Sequence, residues 1–365
     1  MHISEKLAIS TIIIEPVGGD CNLACDYCYH GNIRKHDGLQ TMTDDILEKI
    51  VKEALLINKN RVKFLWHGGE PFLTGLGFYE KVVKFQKRYL VSSDQQLINH
   101  IQTNATLIND DWVEFIKEND FKVSTSIDGP AWLHDKCRHD IHGNGSFDRT
   151  IRGINLLRNA GLTVGVMVTI NQYNVRYPEL IYRTLLDLDI KNFEINPVSA
   201  IANDPSLPSK PADMIKFLEK VFDLWFDADD PSVYIRIFHN VIRSLVGAST
   251  NDCSFSYNRC REYVAIDEKG EVYSCGRFLK EESAYIGSCV DNSLVDMLKV
   301  EKTQQLYDLI SKIRPECFDC RWLSACGGGC AYQRWMNGGF GSLFPQCEVR
   351  KALFEHIEIK TKNFL

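Results

Sequence analysis

Three cysteines near the start of the chain constrain it more than any other feature. Cys21, Cys25 and Cys28 are separated by three and two residues, and Tyr27 precedes the last of them. Three thiolates can hold three corners of a cubane iron–sulfur cluster and leave one iron open to a small molecule, which common four-cysteine clusters cannot do. The alternative is zinc, which takes four ligands, because His30 could supply the fourth.

Size and composition narrow the class of protein. The 365 residues exceed what one small domain needs, and 44% apolar with 25% charged residues is ordinary for a globular enzyme. A net charge of −6 without a long basic run argues against nucleic-acid binding. No apolar stretch reaches the ~20 residues that span a bilayer, and the polar start Met1–Lys6 lacks a signal-peptide layout. We therefore expect a cytoplasmic protein without membrane or nucleic-acid partners.

The first two-thirds of the chain alternates strand-like and helix-like segments. This rhythm predicts an α/β fold with a parallel sheet, in which ligands bind at the carboxyl ends of the strands. Predicted strands cover residues 9–15, 62–66, 97–102, 122–127, 163–170 and 192–196. Predicted helices cover residues 43–58, 77–88, 110–118, 146–160, 175–188, 212–226, 235–246 and 348–359.

The C-terminal third is rich in cysteine, and 13 cysteines are many for a chain in the reducing cytosol, where metal binding explains them better than disulfides. Eight suffice for two fully ligated cubane clusters, with a pair of zinc ribbons as the alternative. Cys137 and Cys289 are expected to be buried small hydrophobes. The eight are Cys253, Cys260, Cys275, Cys317, Cys320, Cys326, Cys330 and Cys347.

These two cysteine patterns, together with Gly68-Gly69-Glu70-Pro71, resemble the radical S-adenosylmethionine (SAM) enzymes that carry a C-terminal SPASM domain. The resemblance covers roughly residues 9–350 and is strongest to anaerobic sulfatase maturases and maturases of ribosomal peptides. It implies a partial (β/α)6 TIM-like barrel over residues 1–230 and a helical connection over 231–252. A SPASM domain with two auxiliary [4Fe–4S] clusters would follow over 253–347, with a terminal helix over 348–365.

The resemblance also implies ligand sets for three clusters and for SAM. The SAM-binding cluster would use the first three cysteines, one auxiliary cluster Cys253, Cys260, Cys275 and Cys330, and the other Cys317, Cys320, Cys326 and Cys347. Glu70 would accept from the SAM ammonium, and Arg138 would pair with its carboxylate. All SAM-contacting positions so implied are Tyr27, Gly68, Gly69, Glu70, Asn104, Ser126, Asp128 and Arg138.

In this family a 5′-deoxyadenosyl radical takes a hydrogen atom from the substrate, and the auxiliary clusters suit a net two-electron oxidation. Sulfatase maturases carry an aspartate base directly after the cysteine matching Cys275, but Gly276 stands there in this chain. His67, Glu194 and Tyr273 are candidate substitutes. The missing carboxylate favours a maturase that cross-links a ribosomal precursor peptide through a C–C or thioether bond. Formylglycine formation in a sulfatase is the alternative.

The expected partners are a precursor peptide or protein substrate and a flavodoxin- or ferredoxin-like electron donor. The cysteine loop begins at Cys21, so we expect no peptide-recognition domain fused before it, and leader recognition would need a separate protein or a barrel surface. The sequence identifies neither the substrate, the bond formed nor the oligomeric state.

Overall fold

The computed structural model describes residues 9–30, 38–198, 206–250 and 252–362, so the polar start of the chain lies outside the described residues. Within these ranges one ten-stranded sheet runs through the molecule. Its strands are β1 Thr11–Ile14, β2 Arg61–Trp66, β3 Gln96–Gln102, β4 Lys122–Ser126, β5 Val164–Ile170, β6 Asn192–Pro197, β7 Tyr234–Ile235, β8 Tyr263–Ile266, β9 Glu271–Tyr273 and β10 Tyr285–Ser288.

Helices connect and cover these strands. They are α1 Asp44–Ile57, α2 Leu76–Tyr89, α3 Asp110–Glu118, α4 Ala131–Cys137, α5 Phe147–Asn159, α6 Pro178–Asp187, α7 Pro211–Ala228, α8 Arg236–Leu245, α9 Leu294–Lys299, α10 Glu301–Ile310, α11 Leu323–Cys326, α12 Ala331–Met336 and α13 Cys347–Thr361. In the described part of the chain, no helix combines the length and apolarity needed to cross a membrane.

The first six strands follow the predicted alternation. Strands β1 to β6 lie side by side in chain order, every neighbouring pair is parallel, and each strand ends within two residues of its prediction. Local chemistry explains the helix boundaries well. The Thr43 hydroxyl accepts the Ile46 N–H at 3.4 Å and caps α1, as its predicted N-cap position requires. Periodicity and capping therefore suffice to predict this half of the sheet.

Two short elements were not predicted. Helix α4 has seven residues and begins directly after Pro130, so it is too short to show a helical period. Strand β7 has two residues, and its Ile235 was assigned to the following predicted helix, although it pairs in parallel with β6. Both elements are held by their tertiary neighbours rather than by their own sequence.

The sheet does not end where the β–α rhythm stops. Strand β8 pairs in parallel with the free edge of β1, and β9 and β10 continue the sheet in antiparallel pairs. An edge strand offers unpaired backbone groups, and β8 satisfies those of β1. The cysteine-rich third is thus joined to the barrel half by backbone hydrogen bonds. The predicted domain limits stay a prediction.

Candidate active site

A cavity of about 370 Å³ opens at the carboxyl ends of the parallel strands. Loops after β1 to β6 supply one wall, and the segment after β9 supplies the opposite wall. Six of the eight predicted SAM-contacting residues line it, while Glu70 and Asp128 lie behind the wall, fully buried. The six are Tyr27, Gly68, Gly69, Asn104, Ser126 and Arg138.

The three N-terminal cysteines all line this cavity. The Leu23 N–H lies 3.3 Å from Cys21 Sγ, and the Asn104 side-chain amide lies 3.7 Å from the same sulfur. Burial raises the pKa of Cys25 to about 12 and raises that of Cys21 further, so free thiolates are unfavourable here without a cation. Converging thiols with N–H donors aimed at sulfur fit an iron–sulfur cluster.

The two glycines after β2 hold the start of the cysteine loop. A Cβ on Gly69 would lie 1.8 Å from the carbonyl oxygen of Asp20, and Gly68 has a φ of +105° with the carbonyl oxygen of Gly18 equally close to its face. The Gly69 and Glu70 N–H groups donate to Gly18 and Asp20 carbonyls, both at 2.8 Å. This contact fixes the backbone directly before Cys21.

Glu70 lies differently from the position that the resemblance implied. Its carboxylate accepts the Phe72 N–H at 3.1 Å, the Thr103 hydroxyl at 2.7 Å and the Asn104 N–H at 2.7 Å. Burial raises its pKa to about 7, against the opposing effect of these donors. The geometry makes Glu70 a support for the turn that presents Asn104, and a direct contact to a SAM ammonium stays a prediction.

Asp128, Arg138 and Tyr27 form a buried charge cluster beside the cysteines. The Asp128 carboxylate accepts Arg138 Nε at 2.8 Å, the Thr169 N–H at 2.8 Å and the Tyr27 hydroxyl. The Arg138 guanidinium also lies 5.1 Å from the centre of the Tyr27 ring. Asp128 thus orients Arg138 and Tyr27, the two members of the cluster that reach the cavity.

The eight C-terminal cysteines form two groups. Cys253 is electrostatically coupled to Cys260, Cys330 and Cys275, whose negative charges, after burial, raise its pKa. The other group lines a separate small cavity of about 30 Å³ and consists of Cys317, Cys320, Cys326 and Cys347. These are the interleaved sets that the resemblance implied, and only the first reaches the main cavity, through Cys275.

The remaining predicted residues lie apart from this chemistry or at its edge. Cys137 and Cys289 are buried, 0% and 2% exposed, among apolar side chains. Glu194 forms an ion pair with Arg236, and neither Glu194 nor Tyr273 lines the cavity. Among the three candidate bases, only His67 does, and burial followed by the Arg277 charge lowers its pKa to about 4.

Two residues of the site were missed in the sequence. Glu15 follows β1 directly and is 1% exposed, so the rule that placed the other strand-end residues could have found it. Arg277 lines the cavity beside Cys275, but only the pairing of β8 with β1 brings it there. No local signal in the sequence predicts a pairing between strands so distant.

Comparison with known proteins agrees with this geometry. Residues 16–185 match the family model described as the radical SAM superfamily. The serine-type anaerobic sulfatase-maturating enzyme of Bacteroides thetaiotaomicron is 31% identical over 373 residues, covering 95% of this chain and 89% of that protein. The cysteine-type enzyme of Clostridium novyi is also 31% identical and covers 94% of each chain.

Solved structures show the same relationship. The structure of anSMEcpe with bound AdoMet and a peptide has a TM-score of 0.87 at 27% identity and covers 97% of this chain and 98% of that one. SuiB of Streptococcus suis, bound to its precursor peptide SuiA, has a TM-score of 0.66 at 18% identity over 92% and 75%, a likeness of fold alone. The parallel half of the sheet is a partial radical SAM barrel, and this chain belongs to the radical SAM superfamily.

Proposed function

We propose that this chain is an anaerobic maturase that uses SAM to oxidise a serine or cysteine side chain of a protein substrate to an aldehyde. The carrying observation is one cavity bordered on one side by Cys21, Cys25 and Cys28 and on the other by Cys275. Near-full-length similarity to serine-type and cysteine-type sulfatase-maturating enzymes supports the same reaction. These relatives favour the sulfatase reaction over the peptide cross-link that the sequence suggested first.

The cavity residues divide into contacts and supports. Arg138 presents a guanidinium that suits the SAM carboxylate, and Asp128 holds it in place from behind. Asn104 lies beside Cys21 and presents its amide toward the same end of the cavity. When bound, SAM and its cluster supply a 5′-deoxyadenosyl radical that removes a hydrogen atom from the substrate side chain.

The second cysteine group facing the cavity suits an oxidation. Cys253, Cys260, Cys275 and Cys330 would hold an auxiliary [4Fe–4S] cluster, which can accept the electron left after hydrogen-atom removal. The group around Cys347 would hold a second cluster away from the substrate. A total of three clusters, a flavodoxin- or ferredoxin-like donor and a separate leader-recognition protein stay predictions.

Gly276 keeps a second function open for testing. Without a carboxylate at that position, an oxidative cross-link in a ribosomal precursor peptide remains the competing product. Such a product also requires loss of two hydrogens, but it retains the oxidised side chain as part of a new bond. The two reactions therefore differ in whether a carbonyl appears.

The test is anaerobic incubation of the reconstituted enzyme with SAM, a reductant and two peptide sets, read by mass spectrometry. One set carries serine or cysteine in sulfatase sequences, and the other consists of short precursor peptides encoded near the gene. An aldehyde that reacts with a hydrazide, formed together with 5′-deoxyadenosine, supports the proposal. Loss of two hydrogens without hydrazide reactivity would instead identify a cross-linking enzyme. Formation of 5′-deoxyadenosine without change in either set would refute both.

A further inference from the structure

Glu15 is a buried carboxylate without a structural task. It is 1% exposed, and its Oε1 has no hydrogen-bond partner among the residues the structure describes. Buried polar groups normally find partners, and one that does not points to a ligand or a reaction. Glu15 follows β1 directly, at the end of the sheet where the main cavity opens.

Glu15 lies next to Gly276. A Cβ built on Gly276 would lie 3.5 Å from Glu15 Oε1, so the carboxylate of Glu15 fills the space into which a side chain at Gly276 would extend. Sulfatase maturases carry their aspartate base at the position of Gly276. The carboxyl group missing from that position is therefore present in this chain, brought there from β1 instead of from the segment after β9.

The surroundings of Glu15 connect it to the substrate cavity. It lines a pocket of about 160 Å³ whose wall toward the main cavity is shared, because both are lined by Tyr29, His30, Gly276, Arg277 and Tyr332. One side-chain atom each of Glu15, His30 and His67 lie within 4.8 Å of one another, and His67 lines the main cavity. A substrate hydroxyl or thiol near His67 would thus lie within reach of Glu15.

The groups facing Glu15 make its carboxyl a strong proton acceptor. Burial, and next the negative charges of Glu268 and Asp267, raise its pKa well above its ordinary value, while Lys280 opposes them. His30 does not neutralise it, because burial lowers the pKa of His30 to about 3 and its Nε2 stays 3.7 Å from Glu15 Oε2. A carboxylate with a raised pKa is suited to general base catalysis near neutral pH.

We propose that Glu15 is the proton acceptor of the oxidation, in place of the aspartate that relatives carry after the cysteine matching Cys275. This inference rests on the proposed function. The O–H or S–H bond of the substrate breaks and its proton passes to Glu15 Oε1. The hydrogen atom from the adjacent carbon goes to the 5′-deoxyadenosyl radical, and the remaining electron goes to an iron–sulfur cluster. A serine then becomes the aldehyde directly, whereas a cysteine gives a thioaldehyde that water hydrolyses with release of hydrogen sulfide.

The decisive variants are Glu15→Gln and the double variant Glu15→Gln/Gly276→Asp. Gln keeps the size of Glu15 but cannot accept a proton. Asp fits at position 276, because Gly276 has a backbone conformation open to L-residues and its nearest side-chain neighbour is Ile13 Cγ2 at 3.3 Å. Glu268→Gln is the matched control, since it neutralises another carboxylate of the same pocket.

The readouts are aldehyde formed per 5′-deoxyadenosine, deuterium transfer from the substrate β-carbon to 5′-deoxyadenosine, and peptide affinity without SAM. For Glu15→Gln we expect unchanged deuterium transfer and peptide affinity, with an aldehyde ratio lower by about a hundredfold, the size of a lost general base. The double variant should regain at least about a tenth of the wild-type ratio, and Glu268→Gln should keep the wild-type ratio.

A wild-type aldehyde ratio in Glu15→Gln would overturn the inference and leave the proposed function standing. An equal fall in Glu15→Gln and Glu268→Gln, accompanied by weaker peptide binding and without recovery in the double variant, would show a structural role and overturn it as well. If the wild-type enzyme forms no aldehyde from any peptide, the proposed function fails, and the inference fails with it.

Discussion

The contact between Gly69 and the start of the cysteine loop makes a sharp test of how the first cluster site is built. In Gly69→Ala, the new Cβ would meet backbone rather than a flexible side chain, at 1.8 Å from Asp20 O, 2.4 Å from Asp20 C and 2.7 Å from Gly19 C. Either the end of β2 or the segment before Cys21 must therefore move. The movement displaces the thiol of Cys21 relative to Cys25 and Cys28.

The expected size of the effect follows from the contacts that the movement breaks. Two backbone hydrogen bonds at 2.8 Å, from Gly69 to Gly18 and from Glu70 to Asp20, contribute about 0.5–1.5 kcal/mol each. Overpacking of a filled interior adds about 1–3 kcal/mol. We therefore expect a loss of roughly 2–6 kcal/mol in the free energy of unfolding, which corresponds to a fall of roughly 5–10 °C in Tm.

The assay compares Gly69→Ala with Gly77→Ala. Gly77 lies exposed in α2 with nothing within 4 Å of its would-be Cβ, so alanine there should be neutral or stabilising by up to about 1 kcal/mol. Tm and iron content after reconstitution are measured for both, and Gly69→Ala should also lose about four irons, those of one [4Fe–4S] cluster. If Gly69→Ala melts like the wild type and holds all its iron, the proposed dependence of the loop on this contact is wrong.

Three further predictions concern charges and clusters. Asp128→Asn leaves Arg138 buried without its partner, so we expect a loss of about 3–5 kcal/mol in stability and no detectable SAM binding by calorimetry, whereas unchanged values would contradict the cluster. Burial raises the pKa of Glu194 to about 7, so the folded state holds a proton that the unfolded state has released, and stability is full below about pH 4.5 and falls as pH rises through about 7. Tm measured from about pH 5 to about pH 8 should therefore fall more in the wild type than in Glu194→Gln, and parallel curves would refute this. Cys330→Ala and Cys347→Ala should each remove about four irons and the double variant about eight, while only Cys330→Ala stops aldehyde formation, and equal loss of aldehyde in both would contradict the grouping.

The parts of the structure that were predictable from sequence are those with a local cause. Strands β1 to β6 announce themselves through apolar runs, and Thr43 marks the start of α1 through its side-chain chemistry. Gly68 and Gly69 were singled out by resemblance, but their role in packing against Gly18 and Asp20 follows only from the folded backbone. The partition of the eight C-terminal cysteines likewise came from resemblance and not from their spacing.

What could not be predicted depends on contacts between distant parts of the chain. The partners of Glu70 lie 33 and 34 residues away at the end of the next strand, and no pattern near Glu70 reveals that Thr103 and Asn104 already occupy its carboxylate. Strands β8 and β9 have four and three residues, too few to show an alternation. Glu15 is the exception, because its place after β1 was readable and only its proximity to Gly276 was not.

The pairing of β8 with β1 links these observations. Its register sets Ile14 opposite Ile266, so the β8–β9 hairpin returns to the carboxyl end of β1 and carries Cys275 and Gly276 over the cavity. Glu15 and Gly276 can complement each other only in this register, because a slip of one residue would turn every β8 side chain to the opposite face. The same backbone ladder therefore fixes the distance between the two cysteine groups and the position of the carboxyl group between them. In this chain the sheet, rather than any single loop, is the element that assembles the site.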